Sequence, residues 1–343
     1  MGIDLNITSG KIISKNLLNV IKCEVNQVES GIKIGVSSCL LGSPVRYDGG
    51  HKRDRYITDI LSNYFLFVPV CPEVECGLPI PREAMRLVGD HENPRLLTSQ
   101  SGLDQTERMK QFSARRVEEL KKDNLCGFIF KKDSPSSGLF RVKVYNSTGQ
   151  FTKDGRGVFA AAMAEEFPLL PMEEEGRLND PVLRENFIEQ VFGYKRWKDF
   201  LDDQPNYKKL IAFHTRQKLL MMAHSPKHYL YLGRLVAGGK KQPNEQLMTS
   251  YETFYMEALS NISTVQKNTN VLQHIMGYFK NDLTADDKKE LLALIWDYKN
   301  SLVPLTVPLT LINHYVRKYD VSYLKKQSYL SPHPSELMLR NHV

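Results

Sequence analysis

Cysteine is scarce in this sequence, with five residues among 343 and no Cys-x-x-Cys pair. A disulfide framework of the kind that holds small secreted domains together is therefore excluded as the basis of the fold. The sequence also lacks an apolar run of the roughly 18 residues needed to cross a bilayer. Residues 1–22 carry charges where a signal peptide would have its apolar stretch. These absences predict a cytoplasmic protein that does not enter the membrane.

Compositional extremes are absent as well. Apolar residues make up 41% and charged residues 25%, as in ordinary folded proteins, which excludes wholesale disorder. A length of 343 residues exceeds what one hydrophobic core usually serves, so we expect two domains. The clearest bias is a net charge of +7. This excess of Lys and Arg favours a polyanionic partner such as RNA.

Strand and helix patterns alternate between residues 31 and 165, after an N-terminal leader at 1–30. Apolar runs typical of buried strands occur at 32–36, 65–70 and 127–130, and helical spacing separates them. This alternation predicts an α/β domain with a parallel sheet in Rossmann-like layers. Ligands of such sheets bind at the carboxyl ends of the strands. Here those ends lead into segments rich in Cys, Ser, Pro and Gly, where we expect the functional site.

The pattern becomes helical in the second half of the chain. Residues 166–204 are predicted to form linker helices, with Asp180 as an N-cap. Helical spacing then continues over 205–335, where Thr284 and Asp287 have the spacing of a capping box. The sequence therefore predicts an all-helical second domain.

The cysteines are the first candidates for chemistry. Cys39, Cys71 and Cys76 adjoin predicted strand ends, Cys126 opens the third strand, and Cys23 lies in the leader. A single cysteine beside a buried strand is most often a small buried hydrophobe. Three that converge at one sheet edge instead suggest thiolate ligands of an iron–sulfur cluster. A structural zinc ion would require four ligands, so three favour a cluster that leaves one iron open to substrate.

Five motifs occur in a fixed order along the first domain. They are SCLLG at 38–42, PVRYDG at 44–49, CPE at 71–73, GLPIPR at 77–82 and KDSPSSG at 132–138. Together they resemble the bacterial thiouracil desulfidase family over about residues 30–165. The resemblance implies removal of sulfur from thiolated pyrimidines at a [4Fe-4S] cluster that is held by three cysteines.

The last of these motifs departs from the family pattern. The family usually reads SPSCG, and its cysteine is the expected third ligand, whereas this chain has Ser137. Serine would have to bind iron as an alkoxide, which is far harder to form than a thiolate. We therefore predict Cys39, Cys71 and Cys76 as the metal ligands, because Cys76 shares a short loop with Cys71. Cys126 is the alternative third ligand.

The same resemblance implies roles for polar side chains. Glu73, two residues from Cys71, would be the general acid–base of a hydrolytic C–S cleavage, and Ser134 would position it or the water. The residues expected to position the nucleotide are Arg46, Asp48, Arg82 and Ser136.

The second domain resembles a helical domain that is often fused to this desulfidase. The matching segments are LMMAHSPKHY at 220–229, NTNVLQHIMGYF at 268–279 and PLTVPLTL at 304–311. In that fused arrangement the expected substrate is thiouridine within tRNA, and the helical domain is the expected RNA-binding part. Basic residues interleaved with aromatic ones in this domain are consistent with RNA binding. The basic side chains would contact the phosphates, and splayed bases would stack on the aromatic rings. The tyrosines expected to stack are Tyr229, Tyr231, Tyr278, Tyr315, Tyr323 and Tyr329.

Two other functions stay open at this point. If Ser137 costs the chain its cluster, the protein would bind RNA or store zinc without being an enzyme. An active cluster could also serve a desulfidase of free thiolated pyrimidines. The sequence does not indicate an oligomeric state.

Overall fold

A computed structural model describes residues 31–342 of the chain, so the predicted leader and Cys23 lie outside the described residues. Eight strands lie in the first half of this range. They are β1 (Lys33–Ser37), β2 (Leu66–Val70), β3 (Met85–Val88), β4 (Arg95–Thr98), β5 (Gly127–Phe130), β6 (Val142–Tyr145), β7 (Phe151–Gly155) and β8 (Met172–Glu174).

Residues 31–342 also contain nine helices of two or more turns. They are α1 (Thr106–Lys121), α2 (Val158–Glu166), α3 (Pro181–Asp202), α4 (Tyr207–His224), α5 (Pro226–Gly238), α6 (Asn244–Ser260), α7 (Val265–Met276), α8 (Ala285–Lys299) and α9 (Thr306–Lys318). No strand follows β8 in the range that the structure covers. The predicted order, an α/β domain followed by an all-helical one, is confirmed.

The first sheet is four-stranded with the order β2-β1-β5-β8, and each of its three pairings is parallel. Ile34 and Val36 of β1 pack with Phe187 of α3 on one face. Phe128 and Phe130 of β5 pack with α1 and α2 on the other face. Cover on both faces is what a parallel sheet requires, because its strands are apolar on both sides. The predicted parallel sheet in Rossmann-like layers is therefore confirmed.

The second sheet is small and mixed, with the order β4-β3-β6-β7. Its central pair, β3 and β6, is parallel, and the outer pairs are antiparallel. Leu87, Leu96, Val142 and Val144 bury one face in the domain core. The opposite face is largely exposed, and it lies outside the sequence prediction altogether.

Helix α3 joins the two domains. The Asp180 side chain accepts hydrogen bonds from the backbone N–H groups of Val182 and Leu183, which confirms it as the N-cap. Early in the helix, Phe187 packs in the core of the first sheet; towards its end, Trp197 packs in the core of the helical domain. The predicted linker segment thus contains a helix that belongs to both hydrophobic cores.

The helical domain surrounds a large aromatic core. Thr284 and Asp287 form the expected capping box at the start of α8. Tyr315 and Tyr329, which the sequence suggested as stacking faces for RNA, are instead buried in this core. Tyr278 remains at the surface, stacked on Tyr323 with ring centroids 4.9 Å apart. None of the helices in the described part of the chain is long and apolar enough to cross a membrane.

A buried ionic network ties the end of the described chain to α3. The Arg340 guanidinium donates to Glu189 at 2.6 Å and to Glu185 at 3.3 Å. The Nε2 atom of His224 lies 2.8 Å from the other oxygen of Glu189. Because these charges are removed from water, each depends on its partners for stability.

Candidate active site

The four strands of the first sheet end at a single cavity of about 620 Å³. In the spatial order β2, β1, β5 and β8, the strands lead within two residues into Cys71, Cys39, Lys131 and Glu175. All four of these residues line the cavity. This is the edge at which ligands bind in parallel α/β sheets. The predicted position of the site therefore coincides with this cavity.

Two thiols face the cavity and are buried to similar extents. Burial, followed by the charge of Glu73, raises the pKa of Cys39 to about 11 and that of Cys71 to about 12. Lys131 and Arg46 oppose this effect at Cys39, and Arg82 opposes it at Cys71. Both thiols are accordingly neutral at pH 7. A bound metal would displace their protons, since thiolates are the ligating form.

Glu73 lies beside Cys71 on a single helical turn, Pro72–Glu75, that follows β2. Its Oε2 atom is 3.6 Å from the Cys71 sulfur and 4.0 Å from the Arg82 guanidinium. Its Oε1 atom accepts hydrogen bonds from the hydroxyls of Ser136 and, at 3.4 Å, Ser134. One oxygen is thus held by serines, and the other faces the thiol.

The serine loop after β5 is closed by its own hydrogen bonds. The Ser134 hydroxyl lies 3.0 Å from that of Ser136 and accepts from the Ser137 N–H at 3.2 Å. Gly157 packs directly against the backbone of Ser136 and Ser137, where a side chain would collide. Ser134 and Ser137 line the cavity, whereas Ser136 is fully buried and reaches it through Glu73. The Ser137 hydroxyl makes no hydrogen bond to any residue from 31 to 342.

Cys76, predicted as the third ligand because it shares a short loop with Cys71, lies outside the cavity lining. The helical turn between the two residues carries it away, and its thiol donates to the Glu73 carbonyl at 3.2 Å while packing on the domain core. Cys126 precedes β5, at the opposite end of that strand from the site, and is buried. Within residues 31–342, no group of three or more His, Cys, Asp or Glu side chains is arranged to hold a metal ion. Cys76 as third ligand therefore stays a prediction without geometric support.

The residues expected to position a nucleotide divide into two groups. Arg46 and Arg82 line the cavity, with Arg82 donating to the Val45 carbonyl at 3.0 Å. The Arg46 guanidinium lies over the ring of Tyr47, 5.4 Å from its centroid. Asp48 is exposed, caps the N–H of residue 50 and pairs with Arg46 at 3.4 Å. Asp48, like Ser136, can act on a ligand only through its neighbours.

Lys131 and Glu175 are cavity residues that the sequence analysis missed. The Lys131 ammonium lies 2.6 Å from a Glu175 oxygen, and the other oxygen accepts from the Lys132 N–H at 2.8 Å. The acidic run at 173–175 lies within the segment predicted to form linker helices. In the structure it forms and follows β8, the edge strand of the first sheet. The signal that could have identified it is the apolar stretch at 169–172 just before it.

Comparison with known proteins agrees with this two-part organisation. Residues 34–175 match the family described as 2-thiouracil desulfurase, and residues 218–334 match a protein family of unknown function, DUF1722. The first match extends ten residues beyond the predicted domain end at 165, and so includes β8.

Individual relatives are similar to less than half of this chain. The uncharacterized protein YbgA of Escherichia coli strain K12 is 33% identical over 133 residues, 38% of this chain and 79% of that protein. The uncharacterized protein YbbK of Bacillus subtilis strain 168 is 32% identical over 151 residues, 42% of this chain and 97% of that protein.

A solved structure of the [4Fe-4S]-dependent thiouracil desulfidase TudS is also similar. It is 30% identical, covers 43% of this chain and 94% of its own, and superposes with a TM-score of 0.35. From the family matches and the relatives together, the chain belongs to the 2-thiouracil desulfurase family, and its helical half carries a DUF1722 domain.

Proposed function

We propose that this protein removes sulfur from thiolated uridine in tRNA by hydrolytic cleavage of the C–S bond. The observation that carries the proposal is the cavity at the end of the first sheet. There, two thiols, a serine-bound carboxylate and several cations face one space of about 620 Å³. Membership of the 2-thiouracil desulfurase family supports the reaction class.

The residues present fit a [4Fe-4S] cluster. Cys39 and Cys71 provide two thiols on one cavity. The Ser137 hydroxyl, which has no hydrogen-bond partner among residues 31–342, lines the same cavity at the position of the family's third ligand. Lys131 and Arg82 add positive charge that would offset the negative charge of a thiolate-bound cluster. We infer that Cys39 and Cys71 would hold the cluster, and that Ser137, which lines the cavity, would take the third position in place of the predicted Cys76. When bound, the cluster would supply an open iron as a Lewis acid for the thiocarbonyl sulfur.

Glu73 is the proton carrier in this proposal. The reaction consumes one water and releases hydrogen sulfide, converting C=S to C=O with no change in oxidation state. Both protons of the attacking water must be removed, and two protons must reach the departing sulfur. The hydroxyls of Ser134 and Ser136 hold Oε1, so that Oε2 stays directed into the cavity towards Cys71. This arrangement presents one carboxylate oxygen to the reacting atoms and fixes its direction.

Cavity residues also suit the heterocycle. Tyr47 is 45% exposed, and its ring offers a flat face against which a pyrimidine can stack. Arg46 lies against this ring and keeps a cation within reach of a ribose phosphate. The Lys131 ammonium and the Glu175 carboxylate provide a donor and an acceptor for the polar edge of the base.

The net charge of +7 supports an RNA substrate, because cations that neutralise phosphates release condensed counterions. Tyr231 and Tyr278 of the helical domain are 42% and 38% exposed, and are available for base stacking. A second candidate, a desulfidase of free thiolated pyrimidines, is favoured by the cavity itself, whose volume is ample for a free base.

One assay separates the two substrates. Anaerobically purified protein is given either thiouridine-containing tRNA or free 2-thiouracil, and sulfide release is measured. We expect sulfide from the tRNA, with Glu73→Gln as the inactive control. Sulfide from free 2-thiouracil alone would favour the second candidate, and no sulfide from either would contradict both.

A further inference from the structure

The exposed face of the second sheet carries three cations side by side. Lys143 of β6 lies directly opposite Lys153 of β7 in the antiparallel register. Arg86 of β3 lies beside Lys143, because the residues that follow them, Leu87 and Val144, are paired in the parallel register. All three cationic side chains are exposed and project from the same face. We call Arg86, Lys143 and Lys153 the cation row.

Nothing in the described fold neutralises this row. Like charges directly opposite each other on neighbouring strands are destabilising. None of the three residues forms an ion pair with a carboxylate within residues 31–342. Arg86 and Lys143 instead lie over aromatic rings, 5.5 Å from the centroid of Tyr145 and 4.5 Å from that of Phe151. A repulsion that the fold does not compensate points to an anionic ligand.

Aromatic side chains form the next row on the same face. Tyr145 is paired with Phe151, two residues along from Lys143 and Lys153, so that all four share one side of the sheet. The two rings are 5.5 Å apart, and Phe151 is 45% exposed. Adjacent rows of cations and aromatic rings on a sheet are typical of surfaces that bind single-stranded nucleic acid, because phosphates contact the cations and bases stack on the rings.

This face is continuous with the active site. The cation row and Tyr145 line a groove of about 520 Å³. Asp133, at the start of the serine loop, lines both this groove and the active-site cavity. If a nucleotide of an RNA strand occupied the cavity, the adjacent nucleotides of that strand would therefore be directed along this face of the sheet. The row spans three strands, roughly 10 Å, which suits a run of phosphates better than a single one.

We propose that the exposed face of β3, β6 and β7 binds the RNA strand that flanks the thiolated nucleotide. The α/β domain then contacts RNA itself, in addition to any contact made by the helical domain. This inference rests on the proposed action upon thiouridine in RNA. Free pyrimidines have no flanking strand, so the face should matter only for the polymer.

The test compares two full-length variants with the same change in charge. Lys143→Gln/Lys153→Gln removes two cations from the row, and Lys122→Gln/Arg55→Gln removes two exposed cations that lie outside the row and the cavity lining. Binding of a fluorescein-labelled oligouridylate of about 12 nucleotides is followed by anisotropy over a range of salt concentrations. The measured quantity is the slope of the logarithm of the binding constant against the logarithm of the salt concentration. In the first variant we expect the magnitude of this slope to fall by about 1.4, the contribution of two phosphate contacts to single-stranded RNA. The matched variant should keep the wild-type slope.

Three further readouts keep the outcome decisive. The Lys143→Arg/Lys153→Arg variant should keep the wild-type salt slope, because it keeps both charges. The thermal midpoint of the Gln variant should stay level or rise, because the repulsion between Lys143 and Lys153 has been removed. Turnover of free 2-thiouracil should be unchanged. An unaltered slope in the Gln variant, or binding of phosphatidylserine vesicles in place of RNA, would overturn the inference. If the slope falls but wild-type protein releases no sulfide from tRNA, the RNA surface stands and the proposed function fails.

Discussion

Two carboxylates, the partly buried Glu73 in the α/β domain and the fully buried Glu189 in α3, have very different partners. Glu189 is fully buried, and both its oxygens are bound by cationic or titratable side chains, at 2.6 Å from Arg340 and 2.8 Å from His224. Burial alone would raise the pKa of Glu189, but the charge of Arg340 and the hydrogen bond from His224 hold it well below its usual range.

Glu73 is arranged in the opposite way. Serine hydroxyls bind one oxygen, and the other faces a thiol and a cavity, with its nearest cation, Arg82, 4.0 Å away. A carboxylate whose charge is fully paired fixes structure, because releasing it would expose an uncompensated charge. A carboxylate with one oxygen that is only weakly paired is available for proton transfer. The comparison predicts that changes at Glu73 reduce turnover and that changes around Glu189 reduce stability.

The largest expected effect is at Glu73. We expect Glu73→Gln to lower sulfide release by roughly 100- to 10,000-fold, the range that a general acid–base contributes. The amide keeps the shape of the side chain and can still accept from a serine hydroxyl, so the thermal midpoint and the iron content should stay near those of the wild type. Near-normal turnover would show that Glu73 carries no proton. A large fall in stability would make it a structural residue like Glu189.

Disruption of the Glu189 network should have the complementary effect. Arg340→Leu leaves Glu185 and Glu189 buried without their cation, and we expect a loss of about 3–5 kcal/mol in the free energy of unfolding. Chemical denaturation measures this loss, and adding Glu189→Gln should recover part of it, since the two residues are coupled. The folded fraction of Arg340→Leu should retain the wild-type turnover. A loss of activity greater than the loss of folded protein would contradict the division of roles.

His214 extends the comparison to a buried group whose pairing is incomplete. Its Nδ1 atom lies 3.1 Å from the Tyr251 hydroxyl, and its Nε2 atom has no hydrogen-bond partner in the described structure. Burial, followed by the charge of Lys218, lowers the pKa of His214 from 6.5 to about 4. Between pH 6.5 and about pH 4, the unfolded chain therefore binds more protons than the native state. The contribution of His214 to the free energy of unfolding is therefore fully present above pH 6.5, and it is lost as the pH falls towards 4.

Between pH 7 and pH 4, protonation of His214 should lower the free energy of unfolding by at most about 3 kcal/mol, since each unit of pKa shift corresponds to about 1.4 kcal/mol. Unfolding free energies measured between pH 7 and pH 4 on the wild type and on His214→Gln provide the test. The difference between the two proteins should shrink as the pH falls, because only the wild type has this histidine to protonate. Parallel pH profiles would show that His214 does not titrate with folding.

The strands that the sequence predicted and those that it missed differ in a physical way. β1 and β5 are central strands and are buried because their sheet is covered on both faces, while β2 is an apolar run at the edge of that sheet. Such runs are visible in any window of the sequence. β8 has only three residues, two of them acidic, and is held in place by its pairing with β5. The second sheet consists of strands of four or five residues with charged outer faces, and the tertiary contacts of Leu87 and Val144 decide their conformation.

The site was predictable to a similar degree. Cys39 and Cys71 follow predicted strands, so the rule for parallel sheets placed them together. The direction of Cys76 depends on how the turn at 72–75 is wound, and sequence spacing carries no such information. Lys131 follows a predicted strand and could have been selected by the same rule as the cysteines. Glu175 could not, because its strand was not recognised.

The smallest expected effect, on cluster occupancy, concerns the third ligand. Ser137 lines the cavity, and its hydroxyl has no hydrogen-bond partner in the part of the chain that the structure describes, whereas the Cys76 thiol is directed at the Glu73 carbonyl. We therefore expect Cys76→Ala to keep the iron content of anaerobically purified wild-type protein, and Ser137→Ala to lower it. Ser137→Cys should raise the iron content and slow the loss of the visible absorbance in air, since a thiolate is a softer and better iron ligand than an alkoxide. Cys39→Ala and Cys71→Ala, which lose iron under either assignment, calibrate the assay. A colourless Cys76→Ala protein beside a fully loaded Ser137→Ala protein would instead assign the third position to Cys76. The turn between Cys71 and Cys76 would then have to rewind when the cluster binds.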